Sequence, residues 1–327
     1  MKEKVLITGA SGFLGFHLIE AALGKNMEVY AGVRKSSDVR HLAHLPISFT
    51  YPDYSSLNSL TEDIREKKYD YIIHAAGTTK AKTEARYNEI NADYTFNLAL
   101  AVQQAGIPIK RFVYISSLAA LGPLENINEV IDESTIPNPV TSYGKSKLLS
   151  ETRLRQLSIP LVILRPTAIY GPREKDIFLM FKFIKRGLEL YIGKNEQRLS
   201  FIYVKDMADA AIRVLTNANN SIYNLSDGNS YTRYDLANYL KLLMKKKTLK
   251  FHLSIGLTRL LAKTLEKANG ILDKTPVINE DKLNEIMGKN WVCSIEKAKK
   301  ELNFNPLFNL EKGLVESLKW YQQWNWL

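Results

Sequence analysis

Seven residues, GASGFLG at 9–15, constrain this chain more than any other stretch. They lie between the β-branched run KVLIT at 4–8 and FHLIEAALGKN at 16–26, where Leu14, Leu18, Ala21 and Ala22 recur at helical spacing. Strand, glycine turn and helix in that order open a βαβ unit, and the helix start has backbone N–H groups with no intrahelical partner. Gly9, Gly12 and Gly15 are placed where missing side chains permit a tight turn, approach of the backbone to a diphosphate, and close helix packing. The spacing is GxxGxxG, so the usual GxGxxG fingerprint misses it. Oriented N–H groups and the helix dipole favour an anion there, so dinucleotide contact is expected at Gly9, Ser11, Gly12, Phe13, Leu14 and Gly15.

The rhythm continues. VYAGV at 29–33 reads as a second strand, SLNSLTEDIREKK at 56–68 as a helix, and YDYIIHAAG at 69–77 as a buried strand ending in small residues. An amphipathic stretch covers about 84–105; RFVYISS at 111–117, a helix over about 143–157, and LVILRP at 161–166 follow. Continuous apolar strands separated by helices imply an α/β fold, a Rossmann-type doubly wound parallel sheet covered on both faces. After Gly171-Pro172 the pattern loosens into helical FLMFKFIKRG at 178–187, extended FIYV at 201–204, a helix after Lys205-Asp206, and LSIGLTRLLAKTLEKANG at 253–270, helical by spacing. ENINEVIDESTIPNP at 125–139 reads as a surface connection. The expected division is a cofactor-binding domain over 1–172, with segments near 200–225 returning to it. A smaller, mostly C-terminal substrate-binding lobe then spans 173–327, ending in a helix whose Trp320, Trp324 and Trp326 serve docking or an oligomer contact.

With 45% hydrophobic and 24% charged residues, 11 Pro and 17 Gly, the chain can fill a core, which excludes global disorder. A net charge of +11 favours anionic partners without choosing among phosphate, nucleic acid and lipid. The lone Cys293 allows no internal disulfide, and no CxxC or His/Cys cluster suggests a metal site, so a reducing, cytoplasmic compartment is expected. Lys2 and Lys4 before an apolar run sketch a signal peptide, but the spaced glycines argue otherwise. The longest apolar windows are broken by Arg165, Lys182, Lys185 or Arg259, so no transmembrane segment is expected. KLLMKKKTLK at 241–250 could attract RNA or acidic lipid, yet no aromatic RNA-binding motif accompanies it, and no specific nucleic-acid partner is expected.

The end of the second strand bears on cofactor choice, because a carboxylate there would bind an adenosine ribose diol. The chain has Gly32-Val33-Arg34-Lys35-Ser36-Ser37, with no acid before Asp38. Arg34 suits an adenine plane or 2′-phosphate and Lys35 stands beside it, which favours NADP(H) over NAD(H).

Tyr143 and Lys147 in YGKSK are four apart and share a helix face, and they follow the strand-end Ser116-Ser117. An acid/base, a cation and a hydroxyl thus converge outside the carboxyl ends of parallel strands. Lys147 is expected to lower the Tyr143 pKa and bind a ribose hydroxyl, while Ser117 hydrogen-bonds the reacting oxygen. His74 is expected to be a structural hydrogen-bonding residue, and Arg165 and Asp206 to be internal polar supports.

At these residues the chain resembles the extended short-chain dehydrogenase/reductase family, the NAD(P)-dependent epimerase/dehydratase group, over nearly its whole length. The matching segments are TGASGFLG at 8–15, HAAG at 74–77, Asn91, YISS at 114–117, YGKSK at 143–147, LRPTAIYGP at 164–172 and FIYVKDMADA at 201–210. The resemblance implies Asp53 and Tyr54 by the adenine, Ala75, Ala76 and Gly77 along the cofactor, Asn91 supporting the active-site backbone, and Pro166 flanking the nicotinamide. It also implies a C-terminal substrate lobe and, as in many members, a homodimer. Three positions depart from the family pattern. Leu118-Ala119 replaces the Asp-Glu pair of sugar-nucleotide dehydratases, Leu199 stands where many epimerases carry a diphosphate-binding Arg, and Leu121 replaces a Tyr before Gly122. The reading is an NAD(P)-dependent oxidoreductase that transfers hydride at a secondary alcohol or ketone carbon, with Tyr143 as acid/base. The apolar 249–272 segment suits a hydrophobic substrate lobe. Two alternatives stay open: an NAD-dependent nucleotide-sugar epimerase using transient oxidation, and an inactive cofactor-binding regulatory protein, the latter opposed by the intact trio.

Overall fold

A computed structural model describes residues 2–218, 220–260 and 280–327. In chain order the first half runs β1 Lys4–Thr8, α1 Phe13–Gly24, β2 Glu28–Gly32, β3 Ser48–Thr50, α2 Leu57–Lys67, β4 Tyr71–His74, α3 Glu84–Asn88, α4 Tyr94–Ala105, β5 Arg111–Ile115, α5 Ser142–Leu154 and β6 Leu161–Pro166. The second half adds β7 Ala168–Tyr170, α6 Asp176–Lys185, β8 Leu188–Ile192, β9 Arg198–Leu199, β10 Phe201–Tyr203, α7 Val204–Asn217, β11 Ser221–Leu225, β12 Tyr231–Thr232, α8 Asp235–Met244 and β13 Leu249–Leu253. Helices Glu280–Met287, Glu296–Leu302 and Leu310–Gln323 follow.

Seven strands form one sheet in the order β11-β6-β5-β4-β1-β2-β3, and every pairing in it is parallel. Val5, Ile7, Ile72, Ile73, Phe112, Val113 and Val162 are wholly buried, as strands covered on both faces require. Because β1 pairs with β2 on one side and β4 on the other, the strand order reverses between β1 and β4. A crevice at such a switch point, beyond the carboxyl ends of the strands, is where ligands bind doubly wound sheets. The expected α/β architecture is therefore present. No helix among the described residues is long and apolar enough to cross a membrane.

Several segments differ from their expected forms. The amphipathic stretch near 84–105 is interrupted by a π-helical segment, Glu89–Asp93, centred on Asn91. Residues 125–139 are more than a surface connection: Leu124 bridges Asn290 and Ile131 bridges Cys293, while Asn290 Nδ2 donates to Asn126 O and Glu129 O at 2.8 and 2.7 Å. Local patterning cannot register partners so distant in sequence. Leu253, expected to start a helix, ends β13; residues 255–260 are helical, and the rest of the expected 253–270 helix lies outside the described residues. Helix α7 starts at Val204, ahead of Lys205-Asp206, and Asp206 accepts from the backbone N–H groups of Leu307 and Phe308. The Trp320 and Trp326 rings pack with Tyr321, and Trp326 with Phe178, so the C-terminal helix is docked on α6.

Candidate active site

The glycine turn is built as its spacing suggests. Gly9 has φ +66°, and a Cβ on it would stand 2.7 Å from Ala75 O, against the end of β4. A Cβ on Gly15 would lie 2.2 Å from Gly9 O and 2.7 Å from Ala10 Cα, so only glycine lets α1 sit against the turn. Gly12 caps α1 with no side-chain hydrogen bond to the helix start, which leaves the first N–H groups without a side-chain partner. This cradle, which a side chain would fill, fits a dinucleotide diphosphate. Ser11, Phe13 and Leu14 flank it, between and just beyond Ala10 and Gly12.

Beyond β2, Arg34 and Lys35 are exposed in the turn closed by Ser37 N donating to Arg34 O at 2.9 Å. Asp38, the nearest acid after the strand, is held by Arg40 through Nε and Nη2 at 2.9 and 2.6 Å. Those contacts keep the Asp38 carboxyl well below the usual carboxylate range. Asp53 is exposed and accepts from Ser55. The Tyr54 ring turns inward, edge-on to His74 and stacked with Tyr94, so its side chain belongs to the core beneath the turn.

A buried relay fixes the loop after β4. Thr8 Oγ1 accepts from Ala75 N and Ala76 N, both at 3.1 Å, which leaves its proton for His74 Nδ1 at 2.8 Å. His74 Nε2–H then donates to Thr95 Oγ1 at 2.9 Å, and Thr95 donates to Asn91 O. Burial, reinforced by the Lys147 charge, pulls the imidazole down to about 3, so His74 stays neutral. The structural role expected for it is what its contacts describe. Asn91 is wholly buried; its Oδ1 accepts from Thr78 N and its Nδ2 donates to Thr78 O and Ser146 Oγ. The π segment turns Asn91 O toward Thr95 and Ser150, whose hydroxyls it accepts. Asn91 thus holds the Gly77–Thr78 backbone and α5 together. A Cβ on Gly77 would fall 3.6 Å from Lys147 Nζ, which sets the Gly77 backbone beside that lysine, with Ala75 and Ala76 joining it to the end of β4.

Thr141 caps α5 by accepting from Gly144 N at 2.9 Å. A Cβ on Gly144 would be 2.3 Å from Ala119 O; its absence lets α5 rest on the short 3₁₀ turn Leu118–Ala120, bringing Tyr143 against Ser117. Ser117 Oγ caps that turn by accepting from Ala119 N at 3.1 Å. Burial pushes the Tyr143 phenol above its ordinary value, and hydrogen bonding with Ser117 offsets part of the rise. The expected lowering of this phenol by Lys147 is therefore not found. The lysine is directed elsewhere: Nζ donates to Ile115 O at 2.8 Å and lies 4.7 Å over the Tyr114 ring. Burial brings Lys147 down from 10.5 to about 8, with the Glu151 charge opposing.

Three parts of this arrangement were not visible in the motifs. Glu151, one turn beyond Lys147 on the same helix face, is 2% exposed and pairs with Arg165 of β6 through Nε at 3.0 Å and Nη2 at 2.5 Å. Ser116 Oγ also donates to Glu151, so the two serines divide: Ser116 faces inward and Ser117 faces Tyr143. The i, i+4, i+8 spacing of Tyr143, Lys147 and Glu151 was the available signal. Helix Glu280–Met287 forms the third part. Asp281 Oδ2 accepts from Ser142 N at 3.0 Å, and the Glu285 charge is felt at Tyr143. Pro166 ends β6 opposite Leu225, while Leu118 and Leu121 are buried with Ile131 and Cys293. Arg198 binds the 289–291 backbone, and Leu199 pairs with Tyr231 in the lobe. Among the described residues no cluster of His, Cys, Asp and Glu could hold a metal ion.

Known proteins share this fold. The family model described as NAD dependent epimerase/dehydratase matches residues 5–226. A ceramide reductase of Caulobacter vibrioides is 28% identical over 99% of this chain and 96% of its own. UDP-glucose 4-epimerase of Vibrio cholerae is 24% identical over 99% of this chain and 97% of its own. Among solved structures, UDP-glucose 4-epimerase of Thermotoga maritima with UDP-glucose superposes with a TM-score of 0.80 at 20% identity, covering 98% of this chain and 99% of that one.

Proposed function

Because the chain belongs to the NAD dependent epimerase/dehydratase family, an enzyme family, we propose that it is an NADP(H)-dependent reductase or dehydrogenase acting at a secondary alcohol or ketone of low polarity. One observation carries the reading: Ser117 and a protonated, half-buried Tyr143 stand together beside buried, apolar Leu118 and Ala119, where the family's dehydratases carry acids. Eliminating water requires additional acid/base groups, so this wall suits simple carbonyl reduction better than dehydration. Division into a cofactor domain over 1–172, with segments near 200–225 returning to it, and a substrate lobe made mainly from 173–327 is part of the same proposal.

Gly9, Gly12 and Gly15 would hold the diphosphate, Arg34 and Lys35 the adenosine phosphate, and Gly77, Lys147 and Pro166 the nicotinamide end. When bound, the dinucleotide exchanges hydride with the substrate carbon. Tyr143, protonated at neutral pH, donates its proton to the carbonyl oxygen as alkoxide character develops, giving the secondary alcohol. Ser117 hydrogen-bonds the same oxygen. In the reverse direction Tyr143 must first lose its proton, so oxidation should speed up with rising pH while reduction does not.

Similarity to the ceramide reductase supports the reductase reading, and similarity to UDP-glucose 4-epimerase favours a second one: epimerisation by transient oxidation. A substrate panel with NADPH and NADH separates them. Net absorbance change with an alcohol or ketone supports reduction; tightly retained NAD with inversion of a sugar stereocentre and no net change would replace it with epimerisation. Tyr143→Phe should lower either activity about 100-fold or more and leave cofactor binding intact; unchanged turnover would remove Tyr143 from its role.

A further inference from the structure

Strands β8 and β13 form a separate two-stranded parallel sheet, with Leu249 opposite Leu188, Phe251 opposite Leu190 and Leu253 opposite Ile192. Paired residues in parallel strands share a face, so these six apolar side chains line one side. The alternate positions turn toward α8, with Lys250 still exposed. Glu189 is 1% exposed and accepts from Tyr191 Oη, Lys241 Nζ and Thr248 Oγ1, and Lys250 Nζ reaches it at 3.7 Å. His252 stacks on Tyr191 and bonds Gly193 O through Nδ1. The usual sheet arrangement is thus inverted, with polar groups inside and apolar groups outside. On the outer face Leu249, Phe251 and Leu253 are 68%, 44% and 41% exposed.

One end of this face is basic. Exposed Lys245, Lys246 and Lys247 lead into β13, and exposed Lys185 and Arg186 lead into β8. Leu249 N donates to Gly187 O at 2.8 Å, which brings the two runs to the same edge. The carboxylate of the sheet, Glu189, is turned inward and neutralised by Lys241 and Lys250.

We propose that the outer face of β8 and β13 docks on an anionic lipid bilayer, its apolar row entering the headgroup boundary and its basic edge meeting lipid phosphates. Charge decides the occupant. A second copy of this basic patch supplies no compensating anion, whereas an acidic bilayer supplies both anions and an apolar layer. A polynucleotide would leave the leucines without a partner. The proposal stands apart from the reaction assigned to Tyr143, because partitioning is read without turnover.

The test is co-sedimentation of the full chain with vesicles of equal parts phosphatidylcholine and phosphatidylglycerol, against vesicles of phosphatidylcholine alone, at low and high salt. Binding is expected to the acidic vesicles, weakened by salt. Replacing Lys245, Lys246 and Lys247 together by Gln should lower partitioning roughly 100-fold, and the set Leu249→Ser, Phe251→Ser and Leu253→Ser should lower it at least about 10-fold. The lysine set alters only exposed side chains, so it keeps the test decisive if the apolar set misfolds. No partitioning into acidic vesicles, partitioning indifferent to the lysine set, or a vesicle-blind dimer abolished by Phe251→Ser would each overturn the proposal.

Discussion

Replacing Lys147 by Met should make the protein's stability respond differently to pH, in a direction and by an amount that its surroundings dictate. Lys147 is 5% exposed, and burial lowers it from 10.5 to about 8. Between those values the unfolded chain binds a proton that the folded chain has released, so the wild type gains stability as pH rises through the window. Burying the lysine costs about 3 kcal/mol near pH 7, where it stays charged, and about 1 kcal/mol near pH 10, where the folded chain has released its proton. Met has a similar length and no charge, but leaves Ile115 O without the 2.8 Å donor, a loss of about 1–3 kcal/mol at either pH. Near pH 7 the two proteins should therefore differ by at most about 2 kcal/mol. From there to pH 10 the unfolding free energy of Lys147→Met, minus that of the wild type, should fall by about 2.5 kcal/mol. Urea titrations at both pH values, followed by far-ultraviolet circular dichroism, measure this difference. Parallel pH profiles, or a variant that gains on the wild type as pH rises, would refute the account of a lysine held down by burial. The variant should also lose turnover, which separates the stability cost of the residue from its use.

Other expectations follow from specific contacts. Gly15→Ala places a methyl 2.2 Å from Gly9 O, so urea titration should show destabilisation of about 1–3 kcal/mol and calorimetry should show loss of dinucleotide binding. Arg34→Ala should weaken NADPH about 10- to 100-fold and NADH little, by fluorescence titration; equal losses for both would contradict the 2′-phosphate assignment. Glu151→Gln strands a buried guanidinium and should cost about 3–5 kcal/mol, whereas Glu151→Leu combined with Arg165→Met should cost much less. Equal costs for these two, by denaturant midpoint, would show that the pair itself carries the stability.

Much of the cofactor crevice was legible because it is local. A glycine turn, the strand it follows and the helix it opens are neighbours in sequence, and Tyr143 and Lys147 lie on one helix. The parallel sheet was legible from strands such as β4, whose burial on both faces shows as the continuous apolar run Tyr71-Ile72-Ile73. What could not be read were contacts between segments that share no local signal. Nothing near Glu151 in the sequence ties it to Arg165 and Ser116, which the fold brings onto it, and Asp281 gave no hint that it would cap α5. The pKa of Tyr143 was misjudged for a related reason: its proximity to Lys147 could be inferred, but its burial and the lysine's bond to Ile115 O could not. Period-two alternation in 249–253 was obscured by the helical spacing that follows, which concealed β13.

The bridges from Leu124 and Ile131 to Asn290 and Cys293 also set a timetable for biosynthesis. The glycine turn and its first strands leave the ribosome early, but the strip before Tyr143 waits for partners made near the far end of the chain. At ordinary elongation rates that gap is roughly 10–30 s. During it the strip before Tyr143 lacks the bridging partners it packs against, so this part of the molecule is completed only late in synthesis.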